Sequence, residues 1–290
     1  MRKVLFAAVF AAVMVLPASA FAAPHSPTGA FARFNDCKLS NPNVDVCLYA
    51  ETSAGTFTLG KKAVPVKKPV VLQGGIEAEG NIFGTLRFVG AEDGNSLTKV
   101  PQPVPGGLLG VTAPTWWPLF LQNLFNETIN NGFTGVNATL ELAGPPSGVK
   151  LSALNILTQS GIGLSLPVKV HLENPFLGSS CYIGSNSSPI VANLTSGTTS
   201  PPPPNTPITG SAGEPSAEGE GAIVVLKNNK LVDNSFAAPG ANGCGGLFSF
   251  LIDPFVNSIV GVPSPAGTNT AILEGTTWMG LAEAVKASEP

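Results

Sequence analysis

The chain has 290 residues, of which 43% are hydrophobic and 11% charged, with a formal net charge of −3. Soluble domains average about 25% charged residues, so this composition rules out a highly charged disordered tail and argues against long solvated helices and coiled coils. The acidic balance argues against nucleic acid as a partner, which needs a basic face; 33 glycines and 27 prolines describe a chain of short elements cut by turns.

Residues 1–22 read as a signal peptide. Arg2 and Lys3 form a positive start, Val4 to Leu16 is an uncharged apolar run, and Pro17 ends it. Small-x-small cleavage sites follow at Ala18-Ser19-Ala20 and Ala20-Phe21-Ala22, and cutting after Ala22 is preferred. Removing Arg2 and Lys3 leaves 13 of the 15 basic residues against 18 acidic ones. Residues 23–290 then read as a single β-rich domain of an oxidising compartment, secreted or held in the cell envelope.

Four cysteines, Cys37, Cys47, Cys181 and Cys244, suggest two disulfides in such a compartment. Three connectivities are open. The turn signal Asn41-Pro42-Asn43 favours Cys37–Cys47, which leaves Cys181–Cys244. Strand-like alternation follows at Val44 to Tyr49, Thr56 to Leu59 and Ile82 to Phe88. It recurs at Val136 to Leu142, Val149 to Leu157, Leu164 to Leu172, Ile190 to Leu194, Ala222 to Lys227 and Thr270 to Glu274. This period of two, with frequent turn signals, predicts a mainly β chain: an antiparallel sandwich or barrel.

Two short apolar helical insertions interrupt the strands. The first runs from Trp116 to Ile129, with Thr115 as the expected cap and Pro118 in the first turn. The second runs from Leu247 to Val260, with a break expected at Asp253-Pro254. A faint echo links Phe120 to Phe125 with Phe250 to Phe255, each ahead of a strand; a true duplication would put both helices in equivalent places. Between them, residues 197–221 contain four consecutive prolines, Pro201 to Pro204, and then Gly, Ser, Ala and Glu. They read as a flexible excursion within one domain.

Catalytic chemistry is thinly represented. The only histidines are His25 and His171, with no zinc spacing and no nucleophile-elbow motif. No metal ligand set, catalytic residue or cofactor is expected, and the chain is read as non-enzymatic. His171 lies in the alternating run from Leu166 to Glu173 and reads as a sheet-surface residue. Paired carboxylates at Glu77 and Glu79, or at Glu141 and Glu173, keep a hydrolase of envelope carbohydrate as the alternative. Lys61-Lys62 and Lys67-Lys68 flank Ala63 to Val66, where the plain expectation is an edge strand guarded by Lys and Pro.

The two helices are the most unusual feature. Residues 103–126 and 234–252 carry no charge. The plain reading packs both as core at one end of a sandwich. Alternatively Trp116, Trp117, Phe120 and Phe250 border a hydrophobic cleft, or the helices touch a membrane. The partner is then a hydrophobic small molecule or an envelope component.

The stretch LPVKVHLENPFLGSSCYIGS, Leu166 to Ser185, resembles secreted proteins of unknown function from high-GC Gram-positive bacteria. The resemblance implies an exported bacterial protein and brings no activity, cofactor or site with it.

Overall fold

The computed structural model describes residues 26–79, 84–110, 112–130 and 134–290. The signal-peptide assignment and residues 80–83 lie outside them. The protein is mainly β. Fourteen strands among the described residues share one antiparallel sheet that does not close. The first half holds β1 (Val46–Leu59), β2 (Lys62–Pro65), β3 (Val70–Glu79), β4 (Thr85–Gly90) and β5 (Gln102–Pro103). Helix α1 (Leu119–Asn130) leads to β6 (Asn137–Leu142) and β7 (Lys150–Leu151). Helix α2 (Ala153–Thr158) precedes β8 (Leu164–Glu173), β9 (Tyr182–Ile183) and β10 (Ile190–Leu194). The chain ends with β11 (Glu214–Glu218), β12 (Ile223–Asp233), β13 (Ala241–Asn242), α3 (Ser249–Val260), β14 (Thr270–Leu281) and α4 (Ala282–Ala287).

The strand order β11-β12-β14-β1-β3-β4-β7-β8-β6-β5 turns a corner at β4–β7. Only Leu86↔Leu151 and Arg87↔Lys150 pair there. On the other side, Thr195 and Val232 exchange two backbone hydrogen bonds of 2.9 and 2.8 Å, drawing the end of β10 against β12. The sheet thus folds over itself like a sandwich and packs its inner faces together.

Alternation decides which side chains enter this core. In β8, Leu164, Leu166, Val168, Val170 and Leu172 are buried while their neighbours are less so. In β10, Ile190, Ala192 and Leu194 do the same. At about 25 cal/mol per Å² of apolar surface, each large side chain buried this way contributes about 1.5–3 kcal/mol. A smaller cluster on the opposite face gathers Phe34, Val44, Ile223, Val225 and Val285 around Cys37 and Cys47. Both faces of early β1 are therefore covered, and Val46, Cys47 and Leu48 are all buried.

Several sequence expectations are corrected. The strands expected at Val44 to Tyr49 and Thr56 to Leu59 are one continuous β1, bulged between Thr52 and Ala54. Gly55 sits there at φ +114°, where a Cβ would run into the Ile272 carbonyl oxygen. The expected strand from Val149 to Leu157 ends early. Ser152 accepts a hydrogen bond from the Asn155 N–H and caps α2 instead.

α3 does not break at Asp253-Pro254. The Asp253 carboxylate accepts the Gly243 and Cys244 N–H groups at 3.2 and 2.8 Å, so it ties a loop rather than capping a new helix. Pro254 removes one helical hydrogen bond, to the Phe250 carbonyl. Residues 197–221 carry pairings that the sequence did not suggest. They contain β11, and the bridges Thr198↔Thr209 and Ser211↔Lys230 pin the rest. The two helix–strand units are not equivalent: β6 pairs with β5 and β8 near one end of the sheet, and β14 pairs with β1 and β12.

Candidate functional site

Both expected disulfides are present, Cys37–Cys47 and Cys181–Cys244, with Cα separations of 5.5 and 4.0 Å. Asn41 supplies the turn inside the first, its side-chain oxygen accepting the Asn43 N–H. The second ties the start of β9 to the loop before α3, next to the Asp253 contacts.

An apolar cavity of about 70 Å³ lies between the β1–β2 hairpin and the β6–β8 pair. It arises because the far half of β1, Thr56 to Leu59, pairs with the edge strand β2 and diverges from β3. Phe57, Leu59 and Val64 face inward from the hairpin, and Ala138, Leu140, Val170 and Leu172 from β6 and β8. Ile183, Val260 and several further valines also line it. A water molecule needs about 10–15 Å³, so the space has room for several methylene-sized groups.

Only two lining residues are polar, Gln102 and Lys62. Gln102 is fully engaged. Its side-chain oxygen accepts the Lys67 and Lys68 N–H groups at 2.9 and 3.1 Å, and its amide donates to the Lys68 carbonyl at 2.8 Å. Lys62 is half-buried, and its Nζ donates to the Gly110 carbonyl at 3.2 Å. None of the ion pairs among the described residues uses it. Burial holds its ammonium below the ordinary lysine value. The cavity thus offers apolar walls and one positive group.

None of the four aromatic residues singled out from the sequence lines this cavity. Trp116, Phe120 and Phe250 stand 80%, 68% and 70% exposed. Trp117 is partly buried and meets Phe125 edge-on at 5.6 Å. α1 begins at Leu119, and the Gln122 amide holds the carbonyls of Thr115 and Trp117. α3 buries Val256 and packs Ile252 and Val260 on the core, while Leu247, Phe250, Leu251 and Phe255 remain exposed. The expectation that both helices are simply core is corrected: each presents an apolar face outward. The cavity residues went unnoticed because Val64 sits between lysines and β6 and β8 read as ordinary core strands. An apolar edge strand with no second neighbour was the available signal.

The carboxylate pairs fare differently. Glu77 accepts from Asn41 and pairs with Arg87 at 3.1 Å; the side chain of Glu79 lies outside the described ones. Glu141 and Glu173 do share a sheet face, flanking His171, whose Nδ1 lies 4.0 and 3.5 Å from them. Lys99 and Lys169 approach Glu141 at 3.9 and 3.8 Å. Tyr182 stacks on His171 at 4.6 Å, and burial, then these two carboxylates, push its hydroxyl pKa up. The cluster therefore packs His171 on the face of β8 away from the core, but the side chain is only 16% exposed under Tyr182 and its Nε2 is buried without a hydrogen-bond partner, so it is less a surface residue than expected.

A polar cleft of about 310 Å³ lies at the β10–β12 seam beside Asp233. Its threonine hydroxyls serve the fold: Thr195 accepts the Gly197 N–H, Thr198 bonds Thr209, and Thr199 bonds Ile208. Among the described residues no group of His, Cys, Asp and Glu is arranged to hold a metal ion. No known protein family, curated protein or solved structure matches the chain.

Proposed function

We propose that the protein is an exported, non-enzymatic binding protein that takes an acyl chain into the cavity between the β1–β2 hairpin and the β6–β8 pair. The carrying observation is the cavity wall: it is apolar apart from Gln102, engaged by backbone groups, and Lys62, the one cationic lining residue, whose Nζ donates to the Gly110 carbonyl at the cavity edge. An apolar wall selects for hydrocarbon, and a half-buried ammonium at its edge selects for an anionic head. Two disulfides are in keeping with an oxidising compartment outside the cytoplasm.

The test is native mass spectrometry of the secreted protein, followed by titration with a fluorescent fatty acid. Binding should be saturable, and Val170→Phe should abolish it by filling the cavity while leaving the thermal unfolding temperature within a few degrees of the parent. Binding that survives Val170→Phe places the ligand elsewhere. The paired carboxylates Glu141 and Glu173 support the alternative of a carbohydrate hydrolase less well, because two lysines already compensate Glu141.

A further inference from the structure

We propose that α1, α3 and the Lys61-Lys62 turn form a docking face for an anionic lipid bilayer, with the cavity edge at its centre. The proposal deepens the acyl-carrier reading by naming the source of the ligand, but its binding residues are different ones.

The two helices meet the same corner of the molecule. The Val260 carbonyl at the end of α3 accepts the Lys61 N–H at 2.7 Å. A Cβ on Gly110 would touch Ile259 of α3 and the Lys62 ammonium, both at 3.1 Å. Three residues further on, the Ala113 N–H donates to the Asn126 side chain of α1 at 3.0 Å. Lys62 and Val260 in turn line the cavity.

Around this corner the exposed side chains are apolar and large. Leu109, Trp116 and Phe120 are exposed on and before α1, and Phe250, Leu251 and Phe255 are exposed along α3. Exposed apolar groups on this scale mark an interaction surface. A helix lying on a membrane normally carries its own basic face, and α1 and α3 lack one. Here the neighbouring β1–β2 turn supplies it. Lys61 is exposed and stacks its stem beside Gly261, and Lys67 and Lys68 are exposed beyond β2. Each helix carries one acidic residue: Asp253 of α3 is engaged by the Gly243 and Cys244 N–H groups, and the exposed Glu127 of α1 lies beyond Trp116 and Phe120, so the four lysines supply the attraction. Among the described residues no helix is long and apolar enough to cross a membrane, so the helices would lie on it. Exposed Trp, Phe and Leu combined with lysines are the composition that favours the headgroup layer of an anionic membrane.

The experiment is co-sedimentation of the full mature chain with vesicles of phosphatidylcholine alone and of equal parts phosphatidylcholine and phosphatidylglycerol. Binding should appear on the mixed vesicles and weaken as salt rises. Phe120→Ser with Phe250→Ser, and separately Lys61→Glu, should each weaken it about tenfold or more. All three positions are exposed, so the unfolding temperature should not move. Failure to bind the mixed vesicles, equal binding to both vesicles, or unchanged binding by the variants overturns the proposal. So does a stable dimer in light scattering that the double Phe variant dissociates, which would make a second copy the occupant. Fatty-acid titration without vesicles tests the carrier reading separately, since the double Phe variant should retain it.

Discussion

The Lys62 ammonium lies 3.2 Å from the Gly110 carbonyl oxygen, so one side chain joins the cavity edge to the loop that leads into α1. If the cavity takes an acyl chain, as proposed, Lys62 selects the head group. Lys62→Met keeps the apolar stem and removes the charge. It should weaken a fatty acid by about five-fold, in line with about 1 kcal/mol for a partly exposed ion pair, and leave the matching fatty alcohol unchanged. Paired titrations of acid and alcohol check this; equal losses would mean that Lys62 only shapes the wall.

The same lysine carries a pH signature. Its folded pKa is lowered by burial, so the unfolded chain binds more protons between the folded value and the ordinary 10.5. The contribution of Lys62 to stability should therefore rise with pH through that alkaline window, against the opposite contribution of Tyr182. Lys62→Met should remove this rise. Urea denaturation of parent and variant across the window would show it, and parallel curves would contradict it.

Asp233 behaves in the opposite sense. It is buried, and desolvation raises its pKa, while the Asn193 and Ser235 N–H groups at 2.7 and 2.8 Å work against that rise. The folded protein then binds the extra proton, so this group's contribution is complete below the ordinary 3.8 and is lost as pH rises through the raised folded value. Asp233→Asn puts an NH₂ against one of the two N–H donors and should destabilise by about 1–3 kcal/mol at neutral pH. Thermal melts of parent and variant should differ most in acid and converge as pH rises through the raised value.

The two disulfides differ in the length of loop they close. Their separations are 10 and 63 residues. Loop entropy gives about 3 kcal/mol for Cys37–Cys47 and about 4 kcal/mol for Cys181–Cys244. Double Ser variants should follow that order in denaturant unfolding. Cys47, Cys181 and Cys244 are fully buried, so a mild reductant should release no thiols until the protein unfolds.

Core and cavity wall should also separate. Leu194 is fully buried, and Leu194→Ala should cost about 2–5 kcal/mol. Leu172 borders existing space, so Leu172→Ala loses fewer contacts and should fall at the low end of that range. Equal losses would mean that the cavity closes in solution.

The sequence by itself determined the class of fold, the faces of strands such as β8 and β10, and the disulfide pairing. These follow from local rules: alternation of period two assigns a buried face wherever it occurs, and a tight turn brings Cys37 to Cys47. Tertiary structure decided the rest. Asp253-Pro254 carries a break signal, yet α3 runs through it because the carboxylate has partners in a loop ten residues away. An apolar helix does not announce which side it buries. Val256 of α3 is buried and Phe250 exposed only because the sheet covers one side. The cavity likewise needs Phe57, Leu140 and Leu172, far apart in sequence, to face one space without filling it. That depends on where β1 leaves β3 for β2, a divergence that no local pattern encodes.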